Sequence, residues 1–208
     1  MENKKISVRQ LERFPQYLNF LLTLRNSNIN KVSSKQMAEV LNCSEEQVRK
    51  DLQIVSPKSG RPGCQRNVDE LIASLKEYLG YNKSRNAVIV GIGHLGSAFM
   101  AYRGFEDYGL NIVAGFDINP ALVGSYIADK PIYSIFNLNN IIKELDVDVA
   151  ILTTSKEAAQ ECANKLANSN IKAIWNFVPV HLEVANNIVI ENVDLARSLA
   201  VLSHRLNK

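Results

Sequence analysis

A short β-branched run, Val88-Ile89-Val90, leads directly into Gly91-Ile92-Gly93-His94-Leu95-Gly96, and the next apolar run ends at Asp117, twenty-one residues after Gly96. Three glycines at this spacing between a strand and a helix suit one local structure. The first permits a tight turn, the second lets the backbone approach a pyrophosphate, and the third lets the helix pack closely on the sheet. A phosphate placed there meets the leading N–H groups and the positive dipole end of the helix. An acid at the end of the second strand accepts hydrogen bonds from adenine-ribose hydroxyls and repels a 2′-phosphate, which selects NAD(H) over NADP(H). The competing reading of Asp117 is a cap on the Asn119-Pro120 turn that follows.

From Asn86 onward, short apolar strands at Ala87 to Val90, Ile112 to Phe116, Val149 to Thr153 and Ile171 to Phe177 alternate with helical segments. Such alternation predicts a parallel sheet with crossover helices, hence an α/β Rossmann domain over residues 86–192. A last helix over 193–208 carries Leu195, Leu199, Leu202 and Leu206 at helical spacing after an Asn192 cap, and this apolar stripe needs a partner.

The residues upstream have a different character. Residues 1–85 hold 15 Lys/Arg against 9 Asp/Glu, whereas residues 86–208 hold 9 against 12, so a basic first part adjoins a mildly acidic second part and favours a polyanionic partner for the first. Phe14-Pro15 opens a helix with Tyr17, Leu18, Leu21 and Leu22 on one stripe. Ser33 with Gln36, and Ser44 with Gln47, form two capping boxes separated by the tight turn Asn42-Cys43-Ser44. In the second helix Val48 and Leu52 point inward, so Gln47, Arg49, Lys50 and Gln53 face out. Two short capped helices with a basic, amide-rich second face predict a helix-turn-helix over residues 1–80. Arg49 and Lys50 suit phosphates or guanine, and Gln47 and Gln53 suit adenine. Ser56 to Gly63, rich in turn formers and base, reads as a wing, from which Arg61 and Arg66 reach a minor groove. With Ser33, Ser34 and Ser44 at the helix starts, these complete the expected DNA-facing set.

Composition narrows the class further. The longest apolar stretches are strand-length, below the roughly 20 residues that span a bilayer, and the N-terminus has no apolar signal region, so a cytoplasmic protein is expected. Cys43, Cys64 and Cys162 are odd in number and lie far apart, and His94, His181 and His204 form no ligand pattern; neither a disulfide framework nor a metal is expected.

Nearly the whole chain resembles the Rex family of redox-sensing transcriptional repressors. The likeness rests on Arg13-Phe-Pro-Gln-Tyr-Leu18, Val32-Ser-Ser34, Gln47-Val-Arg-Lys-Asp-Leu52, Gly91 to Gly96, Tyr102, Phe116-Asp-Ile118, Ala158-Ala-Gln160, Asn176-Phe-Val-Pro179 and Glu191-Asn-Val-Asp-Leu195. The resemblance implies a homodimer of winged-helix and Rossmann domains that exchanges its C-terminal helix, binds palindromic operator DNA when NADH is scarce, and releases it when NADH binds. It implies cofactor contacts at Gly91, Ile92, Gly93, His94, Leu95, Gly96, Asp117, Ile118, Thr153, Thr154, Ser155, Asn176 and Pro179. It places Tyr102 and Asp194 near the nicotinamide end and the subunit contacts, and pairs Arg13 with an acid between domains. The chain departs from the family pattern in its wing, at His94 in place of the commoner Asn, at Thr154-Ser155-Lys156 and at His204-Arg205. The last two departures touch the expected nicotinamide side.

Two other readings remain open. An NAD-dependent oxidoreductase with an N-terminal extension would need a substrate domain, for which one C-terminal helix leaves no room, and a catalytic pair near the nicotinamide, which the sequence does not offer. The same fold binding another adenine nucleotide, such as CoA, is the third.

Overall fold

The computed structural model describes residues 6–56, 65–184 and 187–207, and the chain divides into two compact units, Met1–Asn82 and Lys83–Lys208. In the first unit, helix α1 (Val8–Leu11) and helix α2 (Phe14–Asn26) precede strand β1 (Lys31–Val32), helices α3 (Ser34–Leu41) and α4 (Glu45–Val55), strand β2 (Arg66–Asn67) and helix α5 (Val68–Leu79). Pro15 sits in the first turn of α2, where its missing N–H costs nothing. The Ser33–Gln36 capping box forms in full, and Asn42, in the left-handed conformation with φ 51°, makes the turn between α3 and α4. Ser44 forms only half of its predicted box: its hydroxyl accepts from the Gln47 amide, while the Gln47 side chain turns elsewhere. Phe14, Tyr17, Leu18 and Leu21 of α2 meet Met37, Val48, Leu52, Leu71 and Leu75 in one core. Strands β1 and β2 pair antiparallel, Val32 opposite Arg66, and so fix the start of α5.

The second unit contains strand β3 (Arg85–Val90), helix α6 (His94–Ala101), a 3₁₀ segment Arg103–Tyr108, strands β4 (Leu110–Asp117), β5 (Tyr126–Ile127) and β6 (Lys130–Ser134), and helix α7 (Leu138–Glu144). Strand β7 (Val147–Leu152), helix α8 (Lys156–Ala167), strands β8 (Ala173–Asn176) and β9 (Val189–Asn192) and helix α9 (Leu195–Leu206) follow. The sheet runs β5-β6-β4-β3-β7-β8-β9, every pairing parallel except β5 with β6. Counting its parallel strands from β3, the order is 3-2-1-4-5-6, that of a dinucleotide-binding sheet, and it reverses between β3 and β7. Along β3 the side chains alternate between two cores, Val88 and Val90 on one face and Ala87 and Ile89 on the other. Burial on both faces is why this strand reads as a continuous apolar run.

Two pieces of the sheet differ from the sequence expectation. The β5–β6 hairpin turns through Ala128 and Asp129, both with positive φ, as a two-residue turn of this kind requires, but without the Asn-Gly that would have marked it. Strand β9 follows β8 with no helix among the described residues between them, so alternation does not reveal it. Its attachment depends on Asn176, which is fully buried: the side-chain amide donates to the Val180 carbonyl and to Asn192 Oδ1, and its oxygen accepts from the Val178 amide.

The α9 cap is Asp194 rather than Asn192; its carboxylate accepts from the amides of Ala196 and Arg197. Leu195, Leu199, Leu202 and Leu206 are 68%, 62%, 54% and 77% exposed, so the stripe has no partner among the described residues. No helix among the described residues is long and apolar enough to cross a membrane.

Asn176→Ala is expected to destabilise the second unit by about 2–3 kcal/mol, because it leaves the buried Val178 amide unpaired and removes the bonds to Val180 and Asn192. Urea unfolding followed by the fluorescence of Trp175, the single tryptophan and a β8 neighbour, measures this directly.

Candidate functional site

Strand β3 ends in the glycine loop, and each glycine there does something different. Gly91 has φ 95°, and a Cβ on it would stand 2.8 Å from the Thr154 nitrogen; a Cβ on Gly96 would stand 2.1 Å from the Gly91 carbonyl oxygen. These two positions admit no side chain. A Cβ on Gly93 meets nothing within 4 Å. Its smallness serves no packing inside the chain and leaves room for a ligand. Gly93 is the N-cap residue of α6, whose N-terminus has no side-chain cap and no acid in its first turn.

Neighbouring strands hold this loop. Thr153 Oγ1 donates to the Gly91 carbonyl at 2.8 Å. Asp117 Oδ2 accepts from the Ile92 amide at 2.7 Å, while Oδ1 accepts from the Asn119 amide at 2.8 Å. Both readings of Asp117 therefore meet in one geometry: it caps its own turn and it faces the glycine loop. Each carboxylate oxygen keeps a further lone pair for an outside donor.

Between the loop and α8 lies a cavity of about 320 Å³. Gly91, Gly93, Asp117, Ile118, Thr153, Thr154 and Ser155, expected as cofactor contacts, line it together with Val90, Phe116, Ile135, Ala158, Glu161, Cys162 and Lys165. Sequence reading missed most of the second group because it belongs to a helix face and the end of a neighbouring strand. A signal existed: Ala158, Ala159, Cys162 and Ala163 put small residues at helical spacing, which lets α8 lie close to the sheet. Burial pushes the Cys162 thiol up, so it is a neutral wall of the cavity. Glu161 and Lys165 form an ion pair, and the Lys165 ammonium lies 5.8 Å from the centre of the Phe136 ring.

Other expected cofactor residues fall elsewhere. The Ile92 side chain is buried against Gly115, so only its backbone turns to Asp117. His94 and Leu95 are exposed at the start of α6, beside the loop but not among the cavity-lining residues. Tyr102, 55% exposed at the other end of α6, lies over Gly104 and edge-on to Phe105 with ring centroids 5.0 Å apart. Asn176 uses its amide within the protein, so its role is that of a strap between β8 and β9. Pro179 is exposed beyond it, and Asp194 is the α9 cap.

On the first unit, α4 exposes Glu46, Arg49, Lys50 and Gln53, with Lys50 paired to Glu46 at 2.7 Å. Its inner face carries a charge. Asp51 is 0% exposed and accepts from Gln10 Nε2 (3.1 Å), Arg13 Nε (2.7 Å) and Nη2 (3.0 Å), the Tyr17 hydroxyl (2.7 Å) and Gln47 Nε2 (2.9 Å). Burial pushes the Asp51 carboxyl up, but these hydrogen bonds together outweigh it and hold the group below its ordinary value. The bond to Asp51 raises Arg13 further, and burial foremost raises Tyr17.

Three expectations for the first unit change accordingly. Gln47 is half-buried and bound to Asp51 instead of facing out; Arg13 pairs inside its own unit rather than between domains. Arg66, read as a loop arginine that reaches a minor groove, is 8% exposed in β2, with burial lowering its pKa. Ser33 and Ser44 cap their helices, and Ser34 opens α3 half-buried. Arg61 and the wing from 57 to 64 lie outside the described residues.

Residues 5–53 match a family described as putative DNA-binding protein N-terminus, and residues 82–180 one described as CoA binding domain. Proteins named redox-sensing transcriptional repressor Rex, from Thermoanaerobacter pseudethanolicus and Clostridium botulinum (strain Alaska E43 / Type E3), are 37% and 35% identical. The alignments cover 98% and 100% of this chain and 91% and 98% of theirs. Among solved structures, RSP, a Rex-family repressor, is 35% identical with a TM-score of 0.88, covering 99% of this chain and 95% of that one. RSP in complex with β-NAD⁺ and operator DNA is 36% identical with a TM-score of 0.91, covering 99% and 94%.

Arg13→Ala is expected to cost the first unit about 3 kcal/mol, because it strands a buried carboxylate. The contribution of ionised Asp51 is fully present above the ordinary aspartate pKa of ~3.9 and is lost as pH falls through its lower folded value. Thermal unfolding by far-UV circular dichroism between pH 7 and pH 3 tests this: the stability gap between wild type and Asp51→Asn should close toward the acid end.

Proposed function

Since the chain belongs to the Rex family of redox-sensing transcriptional repressors, we propose that the 320 Å³ cavity takes NAD(H) and that its occupation by NADH releases α4 from a palindromic operator. The protein is a transcriptional regulator and not an enzyme. The observation that carries this reading is the full-length likeness to a Rex repressor solved with β-NAD⁺ and operator DNA. Three features of this chain support the fit. Gly93 leaves open space at an uncapped helix N-terminus, Asp117 retains acceptor capacity for ribose hydroxyls, and small residues on α8 leave an apolar wall for an adenine. When bound, NADH supplies redox state as a signal through its differential affinity for two protein states, with no chemistry required.

The operator face is Arg49, Lys50 and Gln53, with Ser34 at the start of α3. Tyr102 and Asp194 stand at the nicotinamide end and the subunit contacts. A second copy of the chain covers the α9 leucines, with the helix exchanged between protomers, and the paired recognition helices then read half-sites at a fixed separation. Site of action follows function, in the cytoplasm where DNA and NADH meet.

The match to a family described as CoA binding domain makes CoA the specific competitor for the cavity. Fluorescence anisotropy of a labelled inverted-repeat duplex, titrated with protein and then with NADH, NAD⁺, NADPH or CoA, separates these ligands. Release by NADH and not by the others is the expected result; absence of duplex binding, or release by CoA alone, would sink the proposal. In the same assay Asp117→Ala should stay on DNA at NADH concentrations that release the wild type. Arg49→Ala with Lys50→Ala should weaken duplex binding and flatten its salt dependence, with NADH affinity unchanged.

A further inference from the structure

The α4 helix carries its reading side chains on one face and a fully buried carboxylate on the other. An ionised group inside a small core is costly unless each of its lone pairs is used. Those of Asp51 are: Oδ1 accepts from Gln10, Arg13 and Gln47, and Oδ2 from Arg13 and Tyr17. The donors come from α1, from Arg13 at the N-cap of α2, from α2 and from α4 itself, so the cluster joins the helix proposed to read DNA to α1 and α2.

Apolar contacts alone would hold α4 less strictly. Val48 and Leu52 anchor it to the core, but hydrophobic burial is non-directional and tolerates small slips. Hydrogen bonds do not. A rotation of roughly 20° about the helix axis moves a side-chain tip at a radius of about 6 Å by about 2 Å, several times the roughly 0.5 Å spread of hydrogen-bond lengths. The same rotation would carry Arg49, Lys50 and Gln53 as far from their places.

Resting on the operator-binding reading above, we infer that Asp51, gripped from outside α4 by Gln10, Arg13 and Tyr17, sets the rotation of α4 against DNA, and that Gln47, on the same helix, is a positioning residue that orients this carboxylate and reads no base. In this assignment the side chain whose exposed neighbours suggested an adenine reader is a strut. Its amide is committed to Asp51, one turn along the same helix. Base discrimination then falls to Arg49, Lys50 and Gln53.

The test uses the full-length protein and two mild variants, Gln47→Met, which keeps length and loses the amide, and Tyr17→Phe, which loses one hydroxyl, together with their double variant. Each selects from a randomised inverted-repeat duplex library, and binding to the preferred duplex is measured at fixed salt, at a temperature where circular dichroism shows all of them folded. A positioning role predicts about tenfold weaker binding for each single variant and an unchanged pattern of base preference. It also predicts a double variant that loses clearly less than the product of the two, because both act through one carboxylate. The inference is overturned if Gln47→Met alters preference at one base pair, if either single variant binds within twofold of wild type, or if the losses multiply independently. Failure of the wild type to select any duplex would instead overturn the operator-binding reading itself.

Discussion

The 2.1 Å between a hypothetical Cβ on Gly96 and the carbonyl of Gly91 is the constraint from which the second unit is built. Only with hydrogen there can α6 start so close to the end of β3 that its N-terminus opens on the sheet's C-terminal edge. Everything else around the loop secures that approach. Thr153 holds the Gly91 carbonyl from β7's side, Asp117 holds the Ile92 amide from β4's side, and the Gly91 amide itself donates to the Phe116 carbonyl at 2.8 Å. The loop is thus tied to both strands that flank β3. Strand order reverses at this place, so a cavity opens there without any element having to move aside.

The first unit solves a different problem with the opposite kind of interaction. Its core is small, and one of its central positions is an aspartate rather than a hydrophobe. Replacing such a group by an apolar side chain is often no less stable, so the cluster around Asp51 is better understood as specifying geometry than as supplying stability. Directional bonds from Gln10 of α1 and from Arg13 and Tyr17 at the start of α2 give α4 one orientation. A set of exposed side chains meant to meet a rigid surface benefits from that definition more than from another fraction of buried area.

Legibility in the sequence followed the range of the interaction. The glycine loop, the two Ser caps and the alternation of strands and helices are local patterns, set by steric rules and periodicity within a few residues, and all of them appear where the sequence places them. The β5–β6 hairpin was hidden because Ala128-Asp129 adopts a turn normally announced by Asn-Gly. Gln47 and Arg66 were placed differently because packing decides burial: Asp51 turns inward and takes the Gln47 amide with it, and β2 buries Arg66.

By itself, then, the sequence determined that residues 91–96 form a glycine loop between a strand and a helix, with an acid at 117 beyond the next strand, that two capped helices precede it, and that the last helix carries a leucine stripe. These follow from backbone sterics, capping and periodicity, which act within a turn or a strand. Only the tertiary structure decided that Asp117 grips the glycine loop through Ile92, that α8 supplies the other wall of the cavity, and that Asp51 turns inward to gather Gln10, Arg13, Tyr17 and Gln47. Those arrangements bring together residues as far apart in the chain as Gly91 and Lys165, and which groups meet across such a span depends on how the elements pack.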